Sequence, residues 1–110
     1  ELGYGPWDVL IAHTLGVDHA GHTFNADSAQ MAQKLAETDG RVARALSTAA
    51  ATARSGQPHA ETLFVVMGDH GQTATGDHGG GTPEETDTVL MAFRLGAVAA
   101  REGDAGRAPG

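Results

Sequence analysis

Three short apolar runs, separated by one long helical pattern, limit what this chain can fold into. The runs are WDVLIAHTLG (7–16), TLFVVMGD (62–69) and DTVLMAFRLG (87–96), each flanked by glycine, proline or acidic residues. Short apolar runs rich in branched residues and bounded by turn formers predict buried strands of the parallel-sheet type. The order strand, helix, strand predicts a right-handed crossover and therefore an α/β fold.

The helical pattern begins near Asp27 and fades near Arg54. Its apolar residues recur at three- to four-residue steps, which places them on one helix face. They are Met31, Leu35, Val42, Leu46 and Ala49. Asp27 with Gln30 resembles a capping box and predicts where the helix starts. The preceding segment VDHAGHTFNA (17–26) is predicted to be a loop.

The charge balance and the absence of cysteine exclude several classes of protein. Seven Lys and Arg face fourteen Asp and Glu, so the formal net charge is −7. Nucleic acids and anionic membrane surfaces attract basic patches, so this acidic chain is not expected to bind nucleic acid. Without cysteine there is neither a disulfide framework nor a thiolate metal site. No run approaches the roughly 20 apolar residues that span a bilayer.

Acidic residues and histidines follow two of the predicted strands. The first strand leads into GVDHAGH, where Asp18 and His22 lie four residues apart and would share a face if this segment made one helical turn. The second strand ends at Asp69 and His70, between glycines that permit a sharp turn. A third Asp-His pair follows at 77–78. Functional residues of α/β sheets gather at the carboxyl ends of strands, so these clusters are candidates for one site.

Each cluster taken alone has an ordinary explanation, namely a solvated ion pair or a surface turn. Together they predict an imidazole and carboxylate metal site, a ligand set that suits zinc or manganese. The loop GDHGQTATGDHGGG has no Gly-Lys-Ser/Thr ending, and the chain has no Gly-x-Ser-x-Gly, so neither a phosphate loop nor a serine nucleophile elbow is predicted. His13 is interpreted as a strand-end residue and His59 as an exposed loop residue.

At these residues the chain resembles the GPI ethanolamine phosphate transferases of the alkaline-phosphatase superfamily. The blocks that carry the resemblance are WDVLIAHTLGVDHAGH, QMAQKLAETD and LFVVMGDHGQTATGDHGGG, and the similarity runs from about Trp7 to about Phe93. It implies an alkaline-phosphatase-like sheet flanked by helices, present here only as a C-terminal fragment of the catalytic domain. On this interpretation residues 1–96 are the partial catalytic domain and residues 97–110 are a disordered tail.

The resemblance also implies a site with two divalent metal ions, zinc being favoured and manganese the alternative. One ion would be held by Asp18, His22 and His78, and the other by Asp69 and His70. The family's remaining ligand, an aspartate, and its nucleophilic threonine belong to an upstream block that this chain does not contain. No catalytic nucleophile is therefore assigned here. The two copies of GDHG would not be equivalent halves of a repeat.

The activity that the resemblance implies is transfer of phosphoethanolamine from phosphatidylethanolamine to a mannose of the GPI-anchor precursor glycolipid. The implied setting is the endoplasmic reticulum membrane, with a lumenal catalytic domain, membrane spans outside this chain and a small membrane partner subunit. Two departures from the family concern substrate preference: TFNADS after His22 lacks a Gly-Pro, and Gln72 stands where Met is common. The alternatives are a metal-dependent phosphodiesterase or nucleotide pyrophosphatase of the same superfamily, and a noncatalytic metal-binding module.

Overall fold

Four helices and two strands make up the part of the chain that this computed structural model describes, residues 7–53 and 59–105. In chain order they are α1 (Gly16–Phe24), α2 (Ala29–Ala51), β1 (Leu63–Met67), α3 (Pro83–Thr86), β2 (Leu90–Arg94) and α4 (Leu95–Ala105). The described fold is therefore a mixture of helices and one small sheet.

The sheet consists of β1 and β2, which pair antiparallel with Leu63 opposite Arg94 and Met67 opposite Leu90. Both strands lie inside the runs predicted as strands at 62–69 and 87–96, so their existence is confirmed. The predicted parallel arrangement is wrong for the described residues, because β1 pairs antiparallel with β2, the next strand in the chain. Neither strand is buried throughout, and side chains of β1 alternate between exposed and half-buried.

The predicted strand at 7–16 is not formed. Residues 7–15 have no regular structure, and the side chains of Val9 and Ile11 are 76% and 84% exposed. A strand needs neighbours that pair its backbone N–H and C=O groups, and among the described residues the only sheet is β1 with β2. The predicted loop at 17–26 is also wrong for most of its length, because helix α1 runs from Gly16 to Phe24.

Helix α2 confirms the long helical pattern, with a correction at its start. Ser28, rather than Asp27, is the N-cap, and its Oγ accepts a hydrogen bond of 3.0 Å from the backbone N–H of Met31. Ser28 has an extended backbone, which brings its short side chain over the first turn of the helix. The prediction was displaced by one residue because Asp27 and Ser28 are both good capping residues.

The core of the described residues is small and rich in alanine. Helix α1 packs on α2, α2 packs on α4, and α4 contacts β2. The buried apolar side chains are Ala20, Met31, Ala50, Ala53 and Leu95. Small side chains let helices approach closely, but each of them removes little apolar surface from water.

Helix α4 occupies part of the segment that was predicted to be a disordered tail. It begins at Leu95, whose side chain is only 1% exposed, and continues to Ala105. The tail prediction is therefore wrong for residues 97–105, and residues 106–110 lie outside the described part of the chain. Assignment of residues 1–96 to a partial catalytic domain remains a prediction. None of the described helices is both long enough and apolar enough to cross a membrane.

The cap of α2 gives a direct test of this fold. Ser28→Ala should lower the free energy of unfolding by about 1 kcal/mol, because it leaves the N–H of Met31 without its side-chain acceptor. Asp27→Ala should change it by a few tenths of a kcal/mol at most, through the helix dipole alone. Urea unfolding of both variants measures the difference. A larger loss for Asp27→Ala would contradict the observed cap.

Candidate metal centre

Helix α1 carries the first two candidate ligands on one face. Asp18 and His22 lie one turn apart, and the Nε2 atom of His22 is 3.3 Å from Oδ1 of Asp18. The four-residue spacing produces this approach because side chains at i and i+4 stand above one another on a helix. Both side chains are partly exposed, so the pair lies at the surface of the helix rather than in the core.

The loop that follows β1 brings His78 to the same carboxylate. The Nε2 atom of His78 is 3.2 Å from Oδ1 of Asp18. The loop reaches α1 because Gly76 lies directly against the helix: its φ angle is +89°, and a Cβ atom there would come within 2.1 Å of the carbonyl oxygen of Gly21. Any other residue at position 76 would have to move the loop away from α1.

The two copies of GDHG have different surroundings. Asp77, in the second copy, points into its own loop: Thr75 Oγ1 donates a 2.9 Å hydrogen bond to its carboxylate, and its N–H donates to Thr73 Oγ1 at 3.0 Å. The neighbouring His78 points at Asp18 instead. The geometry agrees with the prediction that the copies are not equivalent halves, although the ligand role of His78 remains a prediction.

His70, in the first copy, joins the same cluster from the end of β1. Its Nδ1 atom is 2.8 Å from the carbonyl oxygen of Gly71. A carbonyl only accepts hydrogen bonds, so Nδ1 carries the hydrogen and the neutral ring keeps its lone pair on Nε2. The ring stacks on that of His78 with centroids 3.9 Å apart. The atoms of Asp18, His70 and His78 that could bind a metal ion all lie within 4.8 Å of one another.

Asp69 lies at the edge of this cluster. Its side chain is 69% exposed, and its two oxygens are each 3.9 Å from a histidine nitrogen, Oδ1 from His70 and Oδ2 from His13. From the sequence, His13 is interpreted only as a strand-end residue. Its position five residues before Asp18, in the same apolar block, is the one sequence signal that could have placed it near the site.

The separations of these atoms can be compared with those that a metal ion requires. Tetrahedral zinc with bonds of about 2.0–2.2 Å keeps its ligand atoms about 3.4 Å apart. The distances from Asp18 Oδ1 to His22 and His78 are 3.3 and 3.2 Å, which fit this arrangement. The 3.9 Å between Asp69 and His70 is longer than such an edge. Asp18 therefore has two histidine nitrogens at ligand spacing, but the three residues whose ligand atoms all lie within 4.8 Å of one another are Asp18, His70 and His78, without His22.

Glu85 holds the glycine-rich segment that follows His78. Its carboxylate accepts hydrogen bonds from the N–H of Gly80 at 2.9 Å, and from the hydroxyl and N–H of Thr82 at 2.7 and 3.2 Å. These bonds, the one from the Thr82 hydroxyl foremost, lower the pKa of Glu85 below its ordinary value. The segment after His78 is thus tied to the first turn of α3.

The sequence profile of the type I phosphodiesterase / nucleotide pyrophosphatase family matches residues 2–90. The chain belongs to this family. It is 43% identical over 94 residues to GPI ethanolamine phosphate transferase 3, catalytic subunit, of Homo sapiens, covering 86% of this chain and 8% of that protein. The corresponding transferase 3 of Eremothecium gossypii is 38% identical over 87 residues, covering 79% of this chain and 8% of that protein.

A second type of transferase is also similar. GPI ethanolamine phosphate transferase 2, catalytic subunit, of Homo sapiens is 40% identical over 90 residues, covering 82% of this chain and 9% of that protein. The resemblance inferred from the motifs is therefore confirmed. The chain spans less than a tenth of the length of these curated relatives. No solved structure matches the chain.

The lowered pKa of Glu85 predicts a pH-dependent contribution to stability. Because the folded pKa lies below the ordinary 4.5, the ionised carboxylate stabilises the fold above about pH 4.5, and this contribution is lost as the pH falls through the folded pKa. Glu85→Gln should therefore be less stable than the wild type near neutral pH, with the difference shrinking in acid. Urea unfolding across pH measures it, and Glu84→Gln is the matched control. A difference that grew in acid would contradict the hydrogen-bonded carboxylate.

The asymmetry between Asp77 and His78 predicts unequal effects on zinc binding. His78→Ala should weaken zinc binding by more than about 100-fold, beyond the loss typical of residues that only support a ligand. Asp77→Asn should leave the affinity close to that of the wild type, because its side-chain oxygen still accepts from Thr75. Competition with a chromophoric chelator measures both affinities. Equal losses in the two variants would overturn the asymmetric interpretation.

Proposed function

We propose that this chain is the metal-binding part of the catalytic domain of a GPI ethanolamine phosphate transferase. The reaction proposed is transfer of phosphoethanolamine from phosphatidylethanolamine to a mannose of the GPI-anchor precursor. The observation that supports it most directly is the approach of His22 and His78 to a single oxygen of Asp18, at 3.3 and 3.2 Å, in a chain of this family. The names of the similar transferases support the substrate class.

In this proposal Asp18, His22 and His78 hold one divalent ion, zinc by preference and manganese as the alternative. Asp69 and His70 hold a second ion together with ligands from outside this chain. The two ions would supply the positive charge that stabilises the attacking and leaving oxygens of an in-line phosphoryl displacement. The looser separation of Asp69 and His70 is consistent with a position that needs further ligands.

Neighbouring groups of the protein orient the histidine rings of this site and restrain their rotation. The carbonyl oxygen of Gly71 holds the Nδ1–H of His70, which keeps Nε2 available as a ligand atom. The ring of His70 stacks on His78 and limits rotation of both rings. Because Asp18 accepts no hydrogen bond from a charged lysine or arginine in the described contacts, its carboxylate is free to balance the charge of a bound cation.

The threonines of the loop are not proposed as nucleophiles. Thr73 and Thr75 lie 3.1 Å apart through their hydroxyl oxygens, and both hydroxyls take part in hydrogen bonds to Asp77. These bonds direct them into the loop. The proposal therefore places the nucleophilic threonine in the upstream block that carries it in the family, and the 110-residue chain by itself is expected to show no turnover.

The proposed setting is the endoplasmic reticulum membrane, with the catalytic domain on the lumenal side. Both proposed substrates are lipids, so attachment to the membrane would be provided by spans outside this chain. The human transferases 3 and 2 are named as catalytic subunits, which supports a proposed partner subunit, small and membrane-bound in this interpretation. The membrane assignment does not depend on a basic surface, because the chain carries a net charge of −7.

Hydrolysis of a phosphodiester or nucleotide pyrophosphate is the second candidate activity. It is supported by the description of the family to which residues 2–90 belong. The two activities use the same ligands and differ in whether a sugar hydroxyl or water accepts the phosphoryl group. The site residues described here therefore do not separate them, and the choice rests on the similarity to the transferases.

The test is a comparison of the two activities in the natural full-length protein. Transfer of labelled phosphoethanolamine to a mannose-containing GPI precursor should exceed hydrolysis of a nucleotide phosphodiester. Chelation should abolish transfer, and added zinc should restore it. His22→Ala should remove the activity, whereas His19→Ala, on the same helix, should retain most of it. Hydrolysis without transfer would favour the second candidate, and activity that survives chelation would contradict a metal-dependent site.

A further inference from the structure

The side chain of Gln72 lies between the loop that carries His78 and the helix that carries Asp18. Its Nε2 atom donates a 2.9 Å hydrogen bond to the carbonyl oxygen of Gly76. The same nitrogen lies 3.3 Å from the carbonyl oxygen of Asp18 and 3.5 Å from Oδ1 of Asp18. The residue is half-buried. One amide group thus touches both the helix that carries Asp18 and the loop that carries His78.

The other end of this amide fits against α1 only because residue 21 is glycine. A Cβ atom at Gly21 would lie 1.9 Å from Oε1 of Gln72. Gly21 is itself buried, so the amide occupies a place that any larger residue on the helix would fill. The contact depends on a glycine on the helix and on a glutamine on the loop.

The chemistry of the amide suits this place. Its NH2 group offers two hydrogens, and the three nearby oxygens of Asp18 and Gly76 all accept. A carboxylate in place of the amide would face three acceptors, and a thioether would donate nothing. The 2.9 Å bond to Gly76 is the strongest of the contacts, and the 3.5 Å approach to Oδ1 is at the limit of a hydrogen bond. The Gln72 amide therefore mainly links the backbones of Asp18 and Gly76, and it contacts the carboxylate of Asp18 more weakly.

We propose that Gln72 is a positioning residue of the metal centre, which holds His78 at ligand distance from Asp18. The inference rests on the proposed metal-binding role of Asp18, His22 and His78. The carboxylate oxygen that Gln72 approaches is the same Oδ1 that faces both histidines. Loss of the amide donors lets the loop move relative to α1 and lets the Asp18 side chain rotate. Both changes increase the distance between the ligand atoms of Asp18 and His78.

The experiment compares Gln72→Met with Gln33→Met in the natural full-length protein. Methionine has a similar length to glutamine and no donor, and Gln33 lies exposed on α2, a different helix from the one that carries Asp18. Zinc affinity, measured by competition with a chromophoric chelator, should fall about tenfold in Gln72→Met, the lower end of the loss seen for residues that support metal ligands. It should be unchanged in Gln33→Met. The visible absorption of bound Co²⁺ should change only in Gln72→Met.

Two further variants test the same contact from the side of helix α1. Gly21→Ala should also weaken zinc binding, because the new methyl group displaces the amide of Gln72. In the Gln72→Met background the same change should add little, since the donors are already lost. Additive losses would contradict the proposed contact.

The outcomes separate this inference from the proposed function. If the wild type binds zinc and His78→Ala does not, but Gln72→Met binds like the wild type, the positioning role is overturned and the metal centre stands. If only the melting temperature of the metal-free protein falls while zinc affinity and the Co²⁺ spectrum are unchanged, Gln72 is merely structural and the inference also fails. If the wild type binds zinc no better than His78→Ala, both the metal centre and the inference fall.

Discussion

The close approach of the loop after β1 to helix α1 is the contact on which the rest of the candidate site depends. Gly76 comes against the carbonyl of Gly21, and Ala26 donates a 3.1 Å hydrogen bond back to the carbonyl of Ala74. These short contacts join segments more than forty residues apart in the chain. They bring His78 within 3.2 Å of Asp18. A site assembled in this way is sensitive to small displacements, because its ligands come from two separately positioned elements.

The scaffold beneath this contact has a small apolar core. Its buried side chains are mostly alanine, and Leu95 is the largest one that is fully enclosed among the described residues. One face of β1 exposes Leu63, Val65 and Met67. Polar contacts such as the Glu85 hydrogen bonds therefore matter to the order of the loops, since burial of apolar surface contributes little there.

The doubled GDHG motif illustrates how identical tetrapeptides acquire different roles. The first copy follows directly on β1, so His70 is held near the strand end and Asp69 remains exposed. The second lies in a loop whose threonines satisfy Asp77, which leaves only His78 to face α1. In the proposed metal centre the first copy would contribute an acid–histidine pair to one ion, and the second copy would contribute one histidine to the neighbouring ion.

The sequence by itself determined the features that depend on local spacing. Helix α2 follows from the 3.6-residue period of its apolar residues, and the two strands follow from short apolar runs bounded by turn formers. The four-residue spacing of Asp18 and His22 fixes their shared face once the segment is helical. The family also followed from short motifs in a fixed order. Only the tertiary structure decided the antiparallel pairing of β1 with β2, the irregular course of residues 7–15 and the place of Gln72. These features depend on which distant segments pair and pack together, and the spacing of neighbouring residues does not encode such long-range contacts.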